Sequence, residues 1–151
     1  MDGHRETDAP TRDDYDGDIL AWSRHQGALL RRLAAGEAVN ETLDWDNIAE
    51  EIETVGRNEL RAVRSLLIKS LVHWLKAEGW PLLRDAPSWR ADALHFRHEA
   101  ADAFTPLMRQ HLDVAALYRR ALHELPESVD GQPPRSLPET CPMTLDELLS
   151  K

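Results

Sequence analysis

Apolar residues recur every three to four positions along most of the chain, and no stretch alternates apolar and polar residues as a half-buried strand does. The first run predicts a helix that starts near Asp16 and ends at Gly36, since glycine commonly terminates helices. Tyr15 and Leu20 have the spacing of a hydrophobic staple around that start. The predicted apolar face comprises Ile19, Trp22, Gln26, Leu29, Leu30 and Leu33.

A longer helical period begins at Asp44, whose carboxylate suits the free amides and the positive dipole end of a helix start. Leu43 and Ile48 have staple spacing around it. The apolar residues before and after Gly56 keep the same helical phase, so we predict one helix to about Glu78. A break near Gly56 with a new cap is the alternative. The predicted buried face comprises Trp45, Ile48, Ile52, Val55, Val63, Leu66, Ser70, His73, Trp74 and Ala77.

Two more helices are predicted after Gly79 and Pro81 interrupt this pattern. Ser88 is the predicted cap of a helix over residues 88–104. Thr105-Pro106 resembles a cap followed by proline at the first helical position, and predicts a helix over residues 106–124. Their apolar faces comprise Trp89, Ala93, Phe96, Ala100, Ala103 and Phe104 in the former, and Leu107, His111, Val114, Tyr118 and Leu122 in the latter.

The C-terminal part of the chain is rich in proline. Residues 126–142 hold five of the nine prolines and predict an extended strap across the surface. Thr144 to Glu147 has the sequence of a capping box, with Met143 and Leu148 placed as its staple. The predicted fold class is therefore all-α: a helical bundle around one long central helix, with a Pro-rich C-terminal strap and a short terminal helix. Residues 1–14 are predicted to be a disordered tail and residues 15–151 a single helical domain.

Composition narrows the class of protein. The chain has 151 residues, of which 42% are hydrophobic and 30% charged, as in an ordinary soluble globular domain. No apolar run approaches the roughly 20 residues of a membrane span. A lone cysteine, Cys141, and a polar N-terminus without the apolar core of a signal peptide favour a cytoplasmic location. The formal charge of −9 argues against non-specific nucleic-acid binding, because such binding depends on neutralising phosphates.

Charge is graded along the predicted central helix. Residues 41–53 hold six acids and no base, whereas residues 57–76 hold five bases against Glu59. This order matches the helix dipole, so a solvated face is the simplest interpretation. Another interpretation makes Arg57, Arg61 and Arg64 a contact for an anion or a nucleic acid.

With these elements placed, the chain resembles the domain-of-unknown-function-29 family of bacterial proteins. The matching residues are Tyr15-Asp16-x-Asp18-x-x-x-Trp22, Asp44-Trp45-x-Asn47-x-Ala49-Glu50-Glu51-Ile52-Glu53, Gly56-Arg57, Leu71-x-His73-x-Leu75-Lys76, Ser88-Trp89 and Pro138-x-x-Cys141-Pro142-x-Thr144-Leu145. Trp74 directly after His73 and Met143 depart from the family pattern, and both departures stay apolar. The resemblance implies a small helical protein and no particular reaction.

Metal binding is the sharpest enzymatic hypothesis, because helical bundles hold metals with inward-facing carboxylates and histidines. His73, His111 and Glu59 lie on predicted apolar faces and are the candidate residues. No Glu-x-x-His or His-Glu-x-x-His motif is present, however, and the helical phase turns Glu50 and Glu53 towards solvent. A core histidine hydrogen-bonded to a neighbour is the alternative for His73 and His111. We therefore assign no metal and no cofactor.

The aromatic residues provide one further candidate binding residue, and the lone cysteine provides no candidate nucleophile. Trp45 is predicted to be a buried anchor and is a fourth candidate binding residue, whereas Trp80, beside Gly79 and Pro81, is the tryptophan predicted to be exposed. His95 and His98 are predicted to lie on the surface. Cys141 has no Cys or His close in sequence that could activate it as a nucleophile.

Two functional hypotheses follow. The first is a cytoplasmic protein-interaction module without catalytic activity, whose partner is another protein or a second copy of the chain. The second is a metal-binding or metal-dependent hydrolytic helical bundle that uses buried His73, His111 and Glu59. The two differ in whether these three side chains converge.

Overall fold

The computed structural model describes residues 14–150, and for Asp14 the backbone alone. The helices are α1 (Asp14–Gly17), α2 (Ile19–Ala34), α3 (Trp45–Gly79), α4 (Ala86–Ala103), a 3₁₀ helix (Pro106–His111), α5 (Val114–His123) and α6 (Leu145–Leu148). Residues 14–150 contain no β-strand beyond a single bridge between Val129 and Gln132, so the all-α prediction is confirmed. The predicted tail lies outside the described residues, except that Asp14 begins α1.

The helix α3 is continuous through Gly56, as its apolar phase predicts, and the alternative of a break there is wrong. The chain divides into two compact units whose boundary falls within this helix, between Val55 and Gly56. Across residues 14–150, none of the helices has the length and apolar character needed to cross a membrane.

In the first unit, α2 packs against the start of α3. The core comprises Trp22, Leu29, Leu43 and Ile48. Leu43 and Ile48 are both buried, which confirms their predicted staple. The predicted helix start near Asp16 is wrong, because the Asp18 carboxylate caps α2 by accepting from the amide of Ala21 at 2.9 Å. Leu20 is 58% exposed, so it forms no staple with Tyr15.

The helix α2 is followed by a glycine, the residue that most often terminates a helix. Gly36 has a φ of +79°, the left-handed region in which glycine carries no Cβ penalty. The Gly36 amide donates to the Leu33 carbonyl and the Glu37 amide to the Arg32 carbonyl, each at 3.0 Å. These two bonds form a Schellman motif, which confirms Gly36 as the predicted stop.

The first turns of α3 bury much less than the sequence predicts. Trp45 is 59% exposed, and Ile52 and Val55 are exposed as well, so the predicted buried anchor at Trp45 is wrong. Of the large apolar side chains that α3 contributes to this unit, Ile48 is the buried one. Trp45, Ile52 and Val55 lie on the same side of α3 as Ile48, so the core of the unit covers this side of the helix around Ile48 and leaves the neighbouring apolar residues in solvent.

The second unit has a wider core. Val63, Leu67, Leu71 and Leu75 recur every four residues and are fully buried. Residues of α4, α5 and α6 complete the cluster: Ala100, Leu117, Tyr118, Ala121 and Leu148. The buried face predicted for this part of α3 comprised Leu66, Ser70, His73 and Ala77 and did not include Leu67, Leu71 and Leu75. A helix that packs against neighbours on several sides buries a broader stripe of residues than a single helical face.

The predicted helix over residues 106–124 is two elements. Leu112 and Asp113 have extended backbone angles between the 3₁₀ helix and α5. The Asp113 carboxylate accepts from the Ala116 amide at 3.2 Å and starts a new helix. Because the 3₁₀ helix has a different period, Leu107 and His111 are exposed rather than on the core face. The predicted Ser88 cap is also wrong, since α4 begins at Ala86 with Pro87 in its first turn.

The proline-rich strap is fastened to the end of α3. The Trp80 indole N–H donates to the Gln132 carbonyl at 2.8 Å, and Trp80 is only 3% exposed, so the prediction of an exposed Trp80 is wrong. The Arg135 amide donates to the Gly79 carbonyl at 3.0 Å. A Cβ at Gly79 would lie 3.1 Å from the Cβ of Pro134, so glycine allows the strap to approach closely.

The chain ends with α6, whose capping box is confirmed. The Thr144 hydroxyl accepts from the Glu147 amide at 3.2 Å, and the Glu147 carboxylate accepts from the Thr144 amide at 2.7 Å. Hydrogen bonding of the Glu147 carboxylate to the Thr144 backbone amide, and next to the Thr144 side chain, lowers the pKa of Glu147. Leu148 is fully buried in the core of the second unit.

Candidate functional site

A groove of about 690 Å³ lies in the second unit, between α3 and the 3₁₀ helix. We call it the arginine groove. Its α3 wall comprises Gly56, Arg57, Glu59, Leu60, Arg61 and Arg64. Its second wall comprises Thr105, Leu107, Met108 and His111.

Both walls of the groove are fixed by local structure. Arg57, Arg61 and Arg64 follow one another at spacings of four and three residues, which places them along one side of α3. The Arg64 guanidinium donates to the His111 carbonyl at 2.8 Å and so ties the end of the 3₁₀ helix to α3. Leu107 is 71% exposed at the groove, an unusual position for a large aliphatic side chain.

The groove is positively charged although the chain carries a formal charge of −9. Three arginines line it, and Glu59 is the one acid among its lining residues. Its apolar surface comes from Leu60, Leu107 and Met108. An arginine-lined apolar surface can hold an anionic group next to a hydrophobic one.

The structure brings together two of the three predicted metal-site residues. Glu59 and His111 both line the arginine groove. His73 lies fourteen residues beyond Glu59 on the same helix, which is about 21 Å along the helix axis. Across residues 14–150, no three His, Cys, Asp or Glu side chains lie close enough together to hold a metal ion. The predicted convergence of His73 with Glu59 and His111 is therefore absent.

His73 has the environment of a structural histidine. Its Nδ1 donates to the Lys69 carbonyl at 2.8 Å, and its Nε2 lies 3.8 Å from a carboxylate oxygen of Asp92. The ring is half-buried against Phe96, with 5.2 Å between the ring centroids. These contacts match the hydrogen-bonded alternative for His73, and they orient α4 against α3.

Cys141, Tyr118, His95 and His98 have structural or solvent-exposed environments. Burial raises the pKa of the Cys141 thiol, the opposite of what a nucleophilic cysteine requires. The nearby Tyr118 hydroxyl donates to the Pro138 carbonyl at 2.6 Å. His95 and His98 are exposed, as predicted.

The polar residues around the start of α3 hold the first unit together. One carboxylate oxygen of Asp44 accepts from the Trp22 indole at 3.1 Å and from the Asn47 amide at 2.7 Å. The backbone amide of Asp44 donates to the Gln26 side chain at 2.9 Å. These bonds link α2 to α3, so this part of the motif has a structural role.

Tyr15 adds a further link to α3. Its hydroxyl donates to a carboxylate oxygen of Glu51 at 2.6 Å, and its ring packs edge-on against Trp22. The hydrogen bond to Glu51, followed by partial burial and nearby carboxylates, raises the pKa of Tyr15 to about 12. Tyr15, Trp22, Asp44 and Glu51 are thus accounted for without a ligand.

A different set of residues in the same stretch of α3 remains in solvent. Trp45, Ile52 and Val55 are exposed, and so are Asp46, Glu50 and Glu53. Trp45, Ile52 and Val55 share one side of the helix, and Asp46, Glu50 and Glu53 point away from it. Glu50 and Glu53 are exposed to solvent as predicted, and the candidate binding residue Trp45 is exposed rather than part of a core.

The sequence analysis missed Leu107 and Met108 as groove residues. It placed Leu107 on the core face because it extended one helical period across residues 106–124. The signal that could have corrected it is Asp113, a good helix cap directly before Val114.

The comparisons with known proteins agree with this architecture. The family model described as domain of unknown function DUF29 matches residues 15–151, nearly the whole chain. The chain belongs to this family. A crystal structure described as an alpha-helical protein of unknown function from Rhodospirillum rubrum is 30% identical, covers 91% of this chain and 89% of that chain, and has a TM-score of 0.66. No curated protein matches the chain. The family and this neighbour establish the fold, and neither description names a reaction or a ligand.

Proposed function

We propose that this chain is a cytoplasmic protein-interaction module without chemistry of its own, and that a partner protein docks in the arginine groove. The observation that carries the proposal is the composition of the groove, where exposed Leu107 and half-buried Leu60 and Met108 lie beside three arginines. The partner segment has matching chemistry: an amphipathic helix with apolar anchors flanked by acidic residues. Helix-in-groove recognition uses such anchors, and the charges set orientation and rate of association.

A protein segment fits the groove better than a nucleic acid does. Phosphate contacts need basic side chains, whereas exposed Leu107 contributes nothing to a phosphate backbone. The remainder of the chain is strongly acidic and would repel a polyanion outside the groove. Binding that persists unchanged from low to high salt would exclude the electrostatic part of either interaction.

A metal-dependent hydrolase is the weaker candidate. Glu59 and His111 are the two groove residues that could ligate a metal, and a catalytic zinc site needs three protein ligands. The third predicted residue, His73, lies about 21 Å away along α3. No observation on the described residues favours this function.

To test the proposal, a photo-crosslinking amino acid is incorporated at position 107 and activated by light in the cells that produce the chain. The matched control carries the same group at Leu94, a leucine of α4 that is 48% exposed and does not line the groove. We expect a covalent adduct with a polypeptide from position 107 and not from position 94. Arg61→Glu should abolish the adduct, because it reverses a charge in the groove, whereas Arg119→Glu, at an exposed position of α5, should leave it intact.

The proposal is overturned if position 107 yields no adduct. It is also overturned if positions 107 and 94 give the same adducts, or if Arg61→Glu and Arg119→Glu have the same effect. The mass of the adduct further separates a second copy of the 17.2 kDa chain from a different protein.

A further inference from the structure

We propose that the backbone of the partner helix lies against α3 at Gly56, and that the partner therefore has a small residue at this contact. This inference rests on the proposed function, because it states how the partner is seated in the arginine groove. Three observations support it: the position of Gly56 inside a long helix, the space beside it that the chain leaves open, and the row of groove residues that it begins.

Gly56 is an unfavourable residue for its position. It lies inside α3, with eleven residues of the helix before it and twenty-three after it. Glycine loses more backbone freedom than alanine on folding, so it weakens the interior of a helix. The glycines with a positive φ are Gly36 and Gly131, and Gly56 is not one of them. The backbone conformation therefore gives no reason for a glycine at position 56.

Packing within the chain gives no reason for this glycine either. A Cβ atom at Gly56 would have no heavy atom of residues 14–150 within 4 Å, apart from its chain neighbours and the adjacent backbone of its own helix. Gly79 differs, since its Cβ would lie 3.1 Å from the Cβ of Pro134. Gly56 is exposed and lines the groove. Because the side chains at a contact set the distance between two helices, a second helix can approach α3 most closely at a glycine.

Gly56 begins a row of groove residues on α3. Gly56, Leu60 and Arg64 follow one another at intervals of four residues, and all three line the groove. A helix that packs along this row meets the Gly56 backbone, then half-buried Leu60 one turn later, then Arg64 about 12 Å from Gly56. Small, apolar and basic surfaces therefore follow one another along the groove.

The partner sequence that matches this row has the same order. A glycine, alanine or serine opposite Gly56 lets the two backbones approach, as small residues do where helices pack closely. An apolar residue about one turn away packs on Leu60 and on exposed Leu107. An acidic residue about one turn further pairs with exposed Arg61, since the Arg64 guanidinium already donates to the His111 carbonyl at 2.8 Å.

A series of side-chain sizes at position 56 tests the proposal on the full chain. Gly56→Ala and Gly56→Leu are each combined with the photo-crosslinking amino acid at position 107, and the yield of adduct per chain is measured in the same cells. We expect Gly56→Ala to lower the yield at least about fivefold and Gly56→Leu to lower it further, because added carbon atoms overfill a close contact.

Urea unfolding provides the readout that separates contact from folding. Gly56→Ala should raise the equilibrium constant for folding about two- to fivefold, because alanine favours a helix interior more than glycine does. Gly56→Leu should raise it as well. The same substitutions are thus expected to stabilise the chain and to weaken the adduct, a combination that damage to the fold does not produce.

Gly27→Ala is the matched control. Gly27 lies inside α2, and a Cβ there would be 3.6 Å from a guanidinium nitrogen of Arg31, an ordinary van der Waals distance. This substitution should stabilise the chain to a similar extent, because it also replaces a glycine inside a helix. It should leave the yield of adduct unchanged, because Gly27 does not line the groove.

Peptide mass spectrometry of the adduct identifies the partner segment that position 107 contacts. We expect this segment to carry a glycine, alanine or serine, an apolar residue and an acidic residue at successive helical turns. A crosslinked segment without a small residue at this spacing overturns the proposal.

A loss of adduct that grows from alanine to leucine, without loss of stability, supports the proposal. Unchanged yields in both variants overturn it. Equal losses in both also overturn it, because they indicate that glycine serves the flexibility of α3 rather than a contact. A Gly56→Ala chain less stable than the wild type would show that the chain itself requires the glycine, and overturns it too.

The proposed function fails separately. An adduct at position 107 that persists in both Gly56 variants leaves the groove as an interaction site and removes Gly56 as the contact. No adduct at position 107 in the chain with Gly56 intact removes the site and the contact together.

Discussion

Trp80 connects the end of α3 to the proline-rich strap, and its replacement tests how the strap is held. Its side chain is buried, and its indole N–H donates to the Gln132 carbonyl at 2.8 Å. Trp80→Ala removes both the buried ring and this bond. Loss of a buried aromatic side chain to alanine costs about 3–5 kcal/mol of the free energy of unfolding. Because small domains have about 5–15 kcal/mol in all, this single change should remove a large share of the stability.

Trp80→Phe separates the two contributions. Phenylalanine keeps most of the ring and loses the donor, while the Gln132 carbonyl keeps the hydrogen bond that it accepts from the Val129 amide at 3.0 Å. The expected cost is about 1–2 kcal/mol, from the lost hydrogen bond and the smaller ring together. The ratio of the two effects shows that burial, more than the hydrogen bond, fixes the strap.

Urea unfolding followed by far-ultraviolet circular dichroism measures both values without relying on tryptophan fluorescence. Trp45→Ala is the matched control, since Trp45 is mostly exposed and its removal should change the free energy of unfolding by no more than about 0.5 kcal/mol. The control is measured at the lowest workable concentration, where association contributes least. Equal, small effects of the alanine substitutions at Trp80 and Trp45 would refute the packing described for the strap.

Three further outcomes are expected. Leu71→Ala should lower the free energy of unfolding by about 2–5 kcal/mol in the same urea assay, because the side chain is fully buried. Leu107→Ala should change the free energy of unfolding little, and the reverse order would contradict the placement of the core. Tyr15, with its pKa raised to about 12 by Glu51, and Tyr118, with its pKa raised chiefly by burial, should show no half-ionisation at pH 10 in the tyrosinate absorbance of the folded chain. Both folded pKa values lie above the unfolded value of 10.0, so the stabilisation that each shift contributes is complete below pH 10 and is lost as the pH rises through the folded pKa, which for Tyr15 is about 12. Midpoints at pH 10 with the fold intact would refute this. Cys141 should react with iodoacetamide more slowly in the folded chain than in urea, because burial raises the pKa of its thiol, and equal rates would show that the thiol is accessible.

Local signals along the chain predicted most of the elements correctly. Gly36 ends α2, the Leu43–Ile48 staple starts α3, and the Thr144 capping box starts α6. Each of these depends on residues within about five positions of one another, so the sequence contains the whole interaction. The continuity of α3 through Gly56 was predictable for the same reason, because helical phase is a local property.

The sequence identified individual residues of the arginine groove but not the groove itself. Glu59, His111 and Arg61 were each selected from the sequence, but for different functions, and Leu107 was assigned to the core. The groove exists because the 3₁₀ helix ends at His111 and is held to α3 by Arg64, a contact across 47 residues. Neither the change of helix type nor that contact has a marker in the periodic pattern.

The sequence by itself determined the all-α class, the helix stop at Gly36, the capping box at Thr144, the continuity and graded charge of α3, and the membership of the family. These follow from the spacing of side chains along one segment, which sets backbone hydrogen bonding and dipole interactions locally. Only the tertiary structure decided which side of each helix is covered. Periodicity marks an apolar side chain such as Trp45 or Trp80, whereas its burial depends on whether a distant segment packs over it. The strap covers Trp80 and the core of the first unit leaves Trp45 in solvent, because the contacts that bury a side chain are made between residues far apart in the chain.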